Sequence, residues 1–216
     1  MARISSDAGL RAQGKPFRFI GNYSCLDFVN TETKESGQRV NLLRGFEDFV
    51  TWLASSTLFE PSKLKPATKE WKIGATSERI HKNALALRQV LRGTAEAIVA
   101  GRSVPPASIR VINGLIGRPS GITKVVKTPG SFERRFELDL NEPKQLLVPI
   151  AESAARLLCS GDFSRVKQCA NQDCGAFFYD GTKNNSRRWC SATGCGNRMR
   201  VAAHYRRRRA DMEAGH

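Results

Sequence analysis

Cys169, Cys174, Cys190 and Cys195 are spaced C-x4-C-x15-C-x4-C, and no other feature constrains the folding of this chain as much. Each short pair makes a turn that aims two sulfurs at one point, helped by the turn formers Asn171, Asp173 and Gly194. Four thiolates around one Zn2+ complete a tetrahedron and leave no position open for chemistry, so one structural zinc is expected. Disulfides or an iron-sulfur cluster are the rival readings; paired loops around a hairpin and helix favour zinc. The connector predicts a hairpin, with a strand over 176–180, a turn over 181–186 and a return over 187–190. A glycine-free run from Asn197 to Arg209 then predicts a helix, with Asn197 as its N-cap. Such a treble-clef-like module of about 45 residues is too small for a self-sufficient core, so metal must supply much of its folding free energy.

The preceding chain carries its own apolar pattern. Residues 1–16, with Gly9, Gly14 and Pro16, predict a flexible leader, and residues 17–160 predict one domain bounded near Gly161. Phe17, Phe19 and Ile20, then Leu26, Phe28 and Val29, predict one or two buried elements, strand or short helix, around a Gly21–Asn22 turn. Leu42, Leu43, Phe46, Phe49, Val50 and Leu53 follow helical spacing, and Pro61 and Pro66 mark a connector. Ile80, Ala84, Leu87, Leu91, Ala95 and Ile98 form the clearest helical stripe, closed by Gly101. Another helix is expected from Pro105 and Pro106 to Gly117, a hairpin around Thr128 to Ser131, and a helical stripe from Leu147 to Leu158 that Pro149 forces either to start at Val148 or to kink. The fold class expected is α+β: a mainly helical N-terminal domain with a β-hairpin, plus the zinc module over 161–216. Cys25 and Cys159 read as small core residues.

The same residues carry a family resemblance. Cys195, Gly196, Asn197 and Arg198 spell CGNR, and Cys169-Ala170-Asn171 with Arg187-Arg188-Trp189-Cys190-Ser191 complete a likeness to the CGNR zinc-finger family over residues 166 to 209. Leu26 to Thr31 and the helix after Leu42 resemble the ABATE domain, which precedes this finger in bacterial proteins described as stress-induced transcription regulators. The resemblance implies a DNA-binding regulator.

Charge points the same way. The chain has 35 Lys+Arg against 20 Asp+Glu, a net of +15. Between Val166 and Arg209, ten basic residues face only Asp173 and Asp180; a zinc tetrathiolate subtracts two from that excess of eight, leaving about +6. Such a surface favours nucleic acid, with duplex DNA expected over RNA from the helix geometry and RNA or ribosome association as the alternative. Asn197, Arg198 and Arg200 are the candidate base readers, although Asn197 equally suits an N-cap and Arg198 a brace for the zinc loop. Lys183, Arg187, Arg188, Arg206, Arg207, Arg208 and Arg209 are candidate phosphate contacts, against a solvated helix end. Phe177, Phe178 and Tyr179 could stack on bases, but two of the three are expected to pack, as is Trp189, and His204 is not counted as a ligand. The first domain is expected to sense a small molecule or form a homodimer, and Asn22, Asp27, Asn30 and Thr31 suit a pocket or helix caps equally. No Walker loop, nucleophile elbow or HExxH occurs, His81 and His216 lie outside the hairpin, and Glu32/Glu35 and Glu47/Asp48 read as ordinary carboxylates, so no enzyme is expected. No apolar run is long enough to span a membrane and none precedes residue 16 as a secretion signal, so a cytoplasmic, nucleoid-associated protein is expected.

Overall fold

The computed structural model describes residues 17–214 except 36, 70, 72, 73 and 118. The expected leader over 1–16 and His216 lie outside the described residues. The architecture is α+β, with small hairpins on a helical body.

The longest helix of the described residues, Ala75–Val99, has 25 residues. Helix α1 (Ser24–Val29) precedes strands β1 (Glu32–Glu35) and β2 (Gln38–Asn41), then helices α2 (Phe46–Ser55), α3 (Pro61–Lys69) and α4 (Ala75–Val99). The predicted stripe of α4, from Ile80 to Ile98, is buried. Its end is sealed by Gly101 N–H donating to Ile98 O (3.0 Å) and Arg102 N–H to Ala97 O (2.8 Å), which satisfies carbonyls that a helix end otherwise orphans. The open choice at residues 24–29 resolves as a helix, whose Phe28 ring lies 5.0 Å from Trp52 and 5.9 Å from Phe49. Helix α5 (Pro106–Ile116), strands β3 (Gly121–Thr128) and β4 (Ser131–Leu138), and helix α6 (Val148–Ser160) follow. Strands β3 and β4 pair from Gly121↔Leu138 to Thr128↔Ser131. Gly130, at φ +79° beside Pro129, takes the left-handed turn position that other residues resist.

Four local expectations need correction. Helix α2 excludes Leu42 and Leu43: Asn41 ties to the Leu43 N–H and C=O, and Asp48 accepts from Arg44 N–H at 2.9 Å, which holds the chain extended until Gly45. Pro61 and Pro66 lie in a helix rather than a connector, because Pro61 opens it where no N–H is needed and Pro66 removes one bond from a short element. Cys25 is buried, but Cys159 is exposed on the last turn of α6. Glu32 is no ordinary carboxylate. It lies on β1, paired to β2, and faces Arg88 and Arg92 of α4, whose side chains are 4% and 7% exposed. Arg88 donates to Thr31 and Asn41 side chains, and Arg92 to the carbonyls of Val29 and Glu32.

The last part of the chain comprises β5 (Val166–Gln168), β6 (Phe177–Tyr179) and α7 (Asn197–Ala214). Strand β6 pairs antiparallel with β5, not with residues 187–190 as expected, so the first cysteine pair forms the loop of the hairpin. Residues 187–190 instead run past β5, where Ala170 N–H donates to Arg188 O (3.0 Å).

The two parts are sewn along β6. Asn30 spans the Phe177 backbone, donating Nδ2 to its carbonyl and accepting its N–H, both at 2.8 Å. Tyr179 N–H donates to Gly21 O, and Asn22 Nδ2 donates to Tyr179 O. Asp27 Oδ1 accepts from the N–H groups of Ile20 and Gly21 at 2.7 Å, which fixes the segment that meets β6. Asn22, Asp27 and Asn30 thus act in turns and in this seam, and Thr31 donates to Phe28 O.

Asn30→Ala orphans two buried backbone groups, so stability should fall by about 2–4 kcal/mol, with faster amide exchange at Phe177; unchanged exchange there would show that the seam does not hold β6. Burial pushes the Asp27 carboxyl up to about 6, against the two N–H donors and the charge of Arg187 that lower it. The unfolded chain ionises near ~3.9, so this group favours folding below that pH and the contribution is lost as pH rises through the folded value. Asp27→Asn keeps the acceptor oxygen, and its melting temperature should gain on the parent as pH rises from about 4 to about 6 and level off above that; a constant difference across that range would refute the buried ionisation.

Candidate metal centre and nucleic-acid interface

Each cysteine sulfur is placed by a different short element. Cys169 follows β5, and Cys174 closes a turn whose N–H donates to Asn171 O at 2.9 Å while Asn171 Oδ1 accepts from Asp173 N–H. Gly175, at φ +65°, then reverses the chain into β6. Cys190 ends the return, and Cys195 lies in a wide helical turn, Ala192–Gly196, that leads into α7. All four are buried, and their sulfurs lie within 4.8 Å of one another. Cys174 Sγ is 3.5 Å from Cys190 Sγ, which is 3.6 Å from Cys195 Sγ. A tetrahedron with Zn–S of about 2.3 Å requires S···S near ~3.8 Å, so the set fits one zinc. His204 is exposed and lies against Tyr205, so it takes no part in that set.

The surroundings suit thiolates. Asn171 Nδ2 (3.6 Å) and the Arg198 guanidinium (3.4 Å) donate to Cys195 Sγ, and Cys190 N–H donates to Cys169 Sγ (3.4 Å). Bonds from Cys174 and Cys190 hold Cys169 on its thiolate side, and the same bonds push the other two thiols up. The four sulfurs can therefore all ionise only with a cation among them. Gly196 allows close packing, since a Cβ there would sit 3.3 Å from Ser191 O. The sulfur cluster packs with Ala176 and Phe178, and with Ile20 and Trp189 at its edge.

The expected N-cap is displaced. Ser191, four residues before Cys195, caps the turn by accepting from Gly194 N–H at 3.1 Å, and Asn197 already has helical backbone angles with its side chain exposed. Arg198 and Arg200 are exposed but engaged, Arg198 at Cys195 Sγ and Arg200 at the carbonyls of Gly196 and Ala192. Arg187 is half-buried. Its guanidinium donates to Trp189 O, Ile20 O and Cys190 O and lies 4.3 Å over the Phe178 ring. Arg188 is exposed over Trp189, and Lys183 and Arg206 to Arg209 are exposed. Phe177 and Phe178 are fully buried on opposite faces of β6.

Sequence reasoning missed Asp180. Burial opposes its charge, but Lys167 Nζ, the Thr182 hydroxyl and amide, and Arg187 N–H all donate to it and hold it well below the usual carboxylate range. Its only signal was to be an acid in a basic stretch.

Two family models match the chain. One, ABATE, described as "Putative stress-induced transcription regulator", covers residues 23–161, and the CGNR zinc finger covers 165–208. Neither is an enzyme family. No curated protein matches. No helix among the described residues is long and apolar enough to cross a membrane.

One zinc per chain is the expected result of native mass spectrometry, and Cys174→Ser should abolish it. Chelation should strip amide protection from residues 166–200 while the buried stripe of α4 retains its own; a metal-free protein with unchanged protection would overturn the assignment.

Proposed function

The chain belongs to the ABATE family, and on that premise we propose that it is a transcription regulator whose zinc-held helix α7 enters the major groove of duplex DNA. The observation that carries this reading is the helix itself. Its 18 residues extend about 27 Å, and its main packing among the described residues is on the turn carrying Cys195, at its own start. From Arg200 to Arg209 every residue but Ala203 is exposed. A strongly basic helix with so much of its surface exposed suits a groove that an α-helix can fill. Asn197 lies exposed at the start of the helix, where its side chain is free to read bases.

Lys183, Arg188 and the run Arg206 to Arg209 are the phosphate contacts in this reading. Arg187 is left out because its guanidinium ties the cysteine module to Ile20, and Arg198 and Arg200 chiefly brace the zinc turn. Residues 23–161 set the orientation of the finger through the β6 seam. Effector sensing or homodimerisation is the remaining role for that part, in a cytoplasmic protein at the nucleoid.

Selection of the zinc-loaded protein on a random duplex pool, with single-stranded RNA as competitor, tests the reading. A recurrent motif is expected, weakened at least about tenfold in Asn197→Ala and binding with a salt slope that drops by roughly 0.9 for each of Arg206, Arg207 and Arg208 removed. Retention without a motif, or displacement by the RNA, would refute sequence-specific duplex recognition.

A further inference from the structure

The β3–β4 ribbon has two chemically different faces. Its register places Thr123, Val125 and Lys127 opposite Phe136, Arg134 and Phe132 on one face, and Ile122, Lys124 and Val126 opposite Glu137, Arg135 and Glu133 on the other. Both carboxylates are on the second face and are neutralised there: Glu137 by Lys124 (2.6 Å) and by Lys63 of α3 (2.8 Å), Glu133 by Arg135 (3.0 Å). That face is tied to the body through α3. The first face is the reverse, with Val125 71%, Phe132 72% and Phe136 47% exposed. Its Lys127 and Arg134 have no ion pair among the described residues and no acid beside them.

Solvation alone does not call for two exposed phenylalanines, and a face made only to stay wet would not segregate its charges so completely. A second copy or another protein covering this face would bury two unpaired cations with no carboxylate to meet them, unless that partner were acidic. Nucleic acid answers both features, offering phosphates to Lys127 and Arg134 and π-faces or base edges to Phe132 and Phe136, which lie about 13 Å apart along the strand. A two-stranded ribbon also has the dimensions of a groove ligand.

We infer that this ribbon face is a second nucleic-acid contact, with Lys127 and Arg134 on phosphates and Phe132 and Phe136 against bases. It rests on the regulator reading above, because it gives the same partner a second hold outside the finger. The contact makes the N-terminal part a direct participant in binding.

The test uses the full-length, zinc-loaded protein with a bromodeoxyuridine-substituted 30-mer as a duplex and as a single strand. Irradiation should yield adducts on a peptide spanning residues 121–138 as well as on α7. Phe132→Ala/Phe136→Ala should weaken binding about five- to tenfold, and Lys127→Glu/Arg134→Glu, which keeps both rings, should do the same and lower the salt slope by roughly two. Adducts on α7 alone, with both variants binding as the parent does, would overturn the ribbon contact and leave the finger reading intact. Failure of the parent to bind either probe would overturn both. Conversion of a dimer to a monomer in Phe132→Ala/Phe136→Ala, with binding unchanged, would assign the face to a second copy instead.

Discussion

A cation among four sulfurs is the constraint on which the rest of the C-terminal architecture depends. The thiolates repel one another, and only a dication makes the close S···S distances compatible with full ionisation. Around that point the apolar cluster holds little beyond Ala176, Phe178, Ile20 and Trp189. No stable module follows from so small a core without the metal. The metal in turn fixes the turn from Ala192 to Gly196, and that turn aims α7 away from the body.

Strand β6 transmits this order. Alternation along three residues sends Phe178 to the sulfur cluster and Phe177 to the large core of the N-terminal part, while Asn30 closes the Phe177 backbone. Arg187 repeats the connection in side chains, bridging Ile20 O and Cys190 O across the Phe178 ring. A rotation of the zinc module would have to break buried hydrogen bonds at both places, each of which is costly to leave unmade. The two family models meet within four residues of each other in sequence, but in space the two parts share one strand as a wall.

What the sequence made legible follows from the range of the interactions involved. The cysteine register and the α4 stripe are local patterns, and each stands where spacing placed it; Pro149 left a start or a kink open, and α6 starts at Val148. The β1–β2 hairpin was invisible because Glu-Thr-Lys-Glu and Gln-Arg-Val-Asn have no apolar alternation; their support is Arg88 and Arg92, more than fifty residues downstream. The partner of β6 was misjudged for a related reason. Its pairing with β5 is set by Lys167, which reaches Asp180, Asn185 O and Arg187 O and pins the connector away from the edge it was expected to occupy. Asp180 itself looked like a stray acid and is the knot of that loop.

Net charge read from the sequence therefore overstates what a partner can meet. Of the ten basic residues between Val166 and Arg209, Lys167 and Arg187 are spent on the fold, and Arg198 and Arg200 brace the turn around Cys195. The exposed remainder, Lys183, Arg188 and the four consecutive arginines, is weighted toward the far half of α7. A long lever with its charge at the tip works only if its base is rigid. On the proposed DNA-binding reading the zinc turn supplies that rigidity, and the metal acts on recognition through the direction in which it holds a helix.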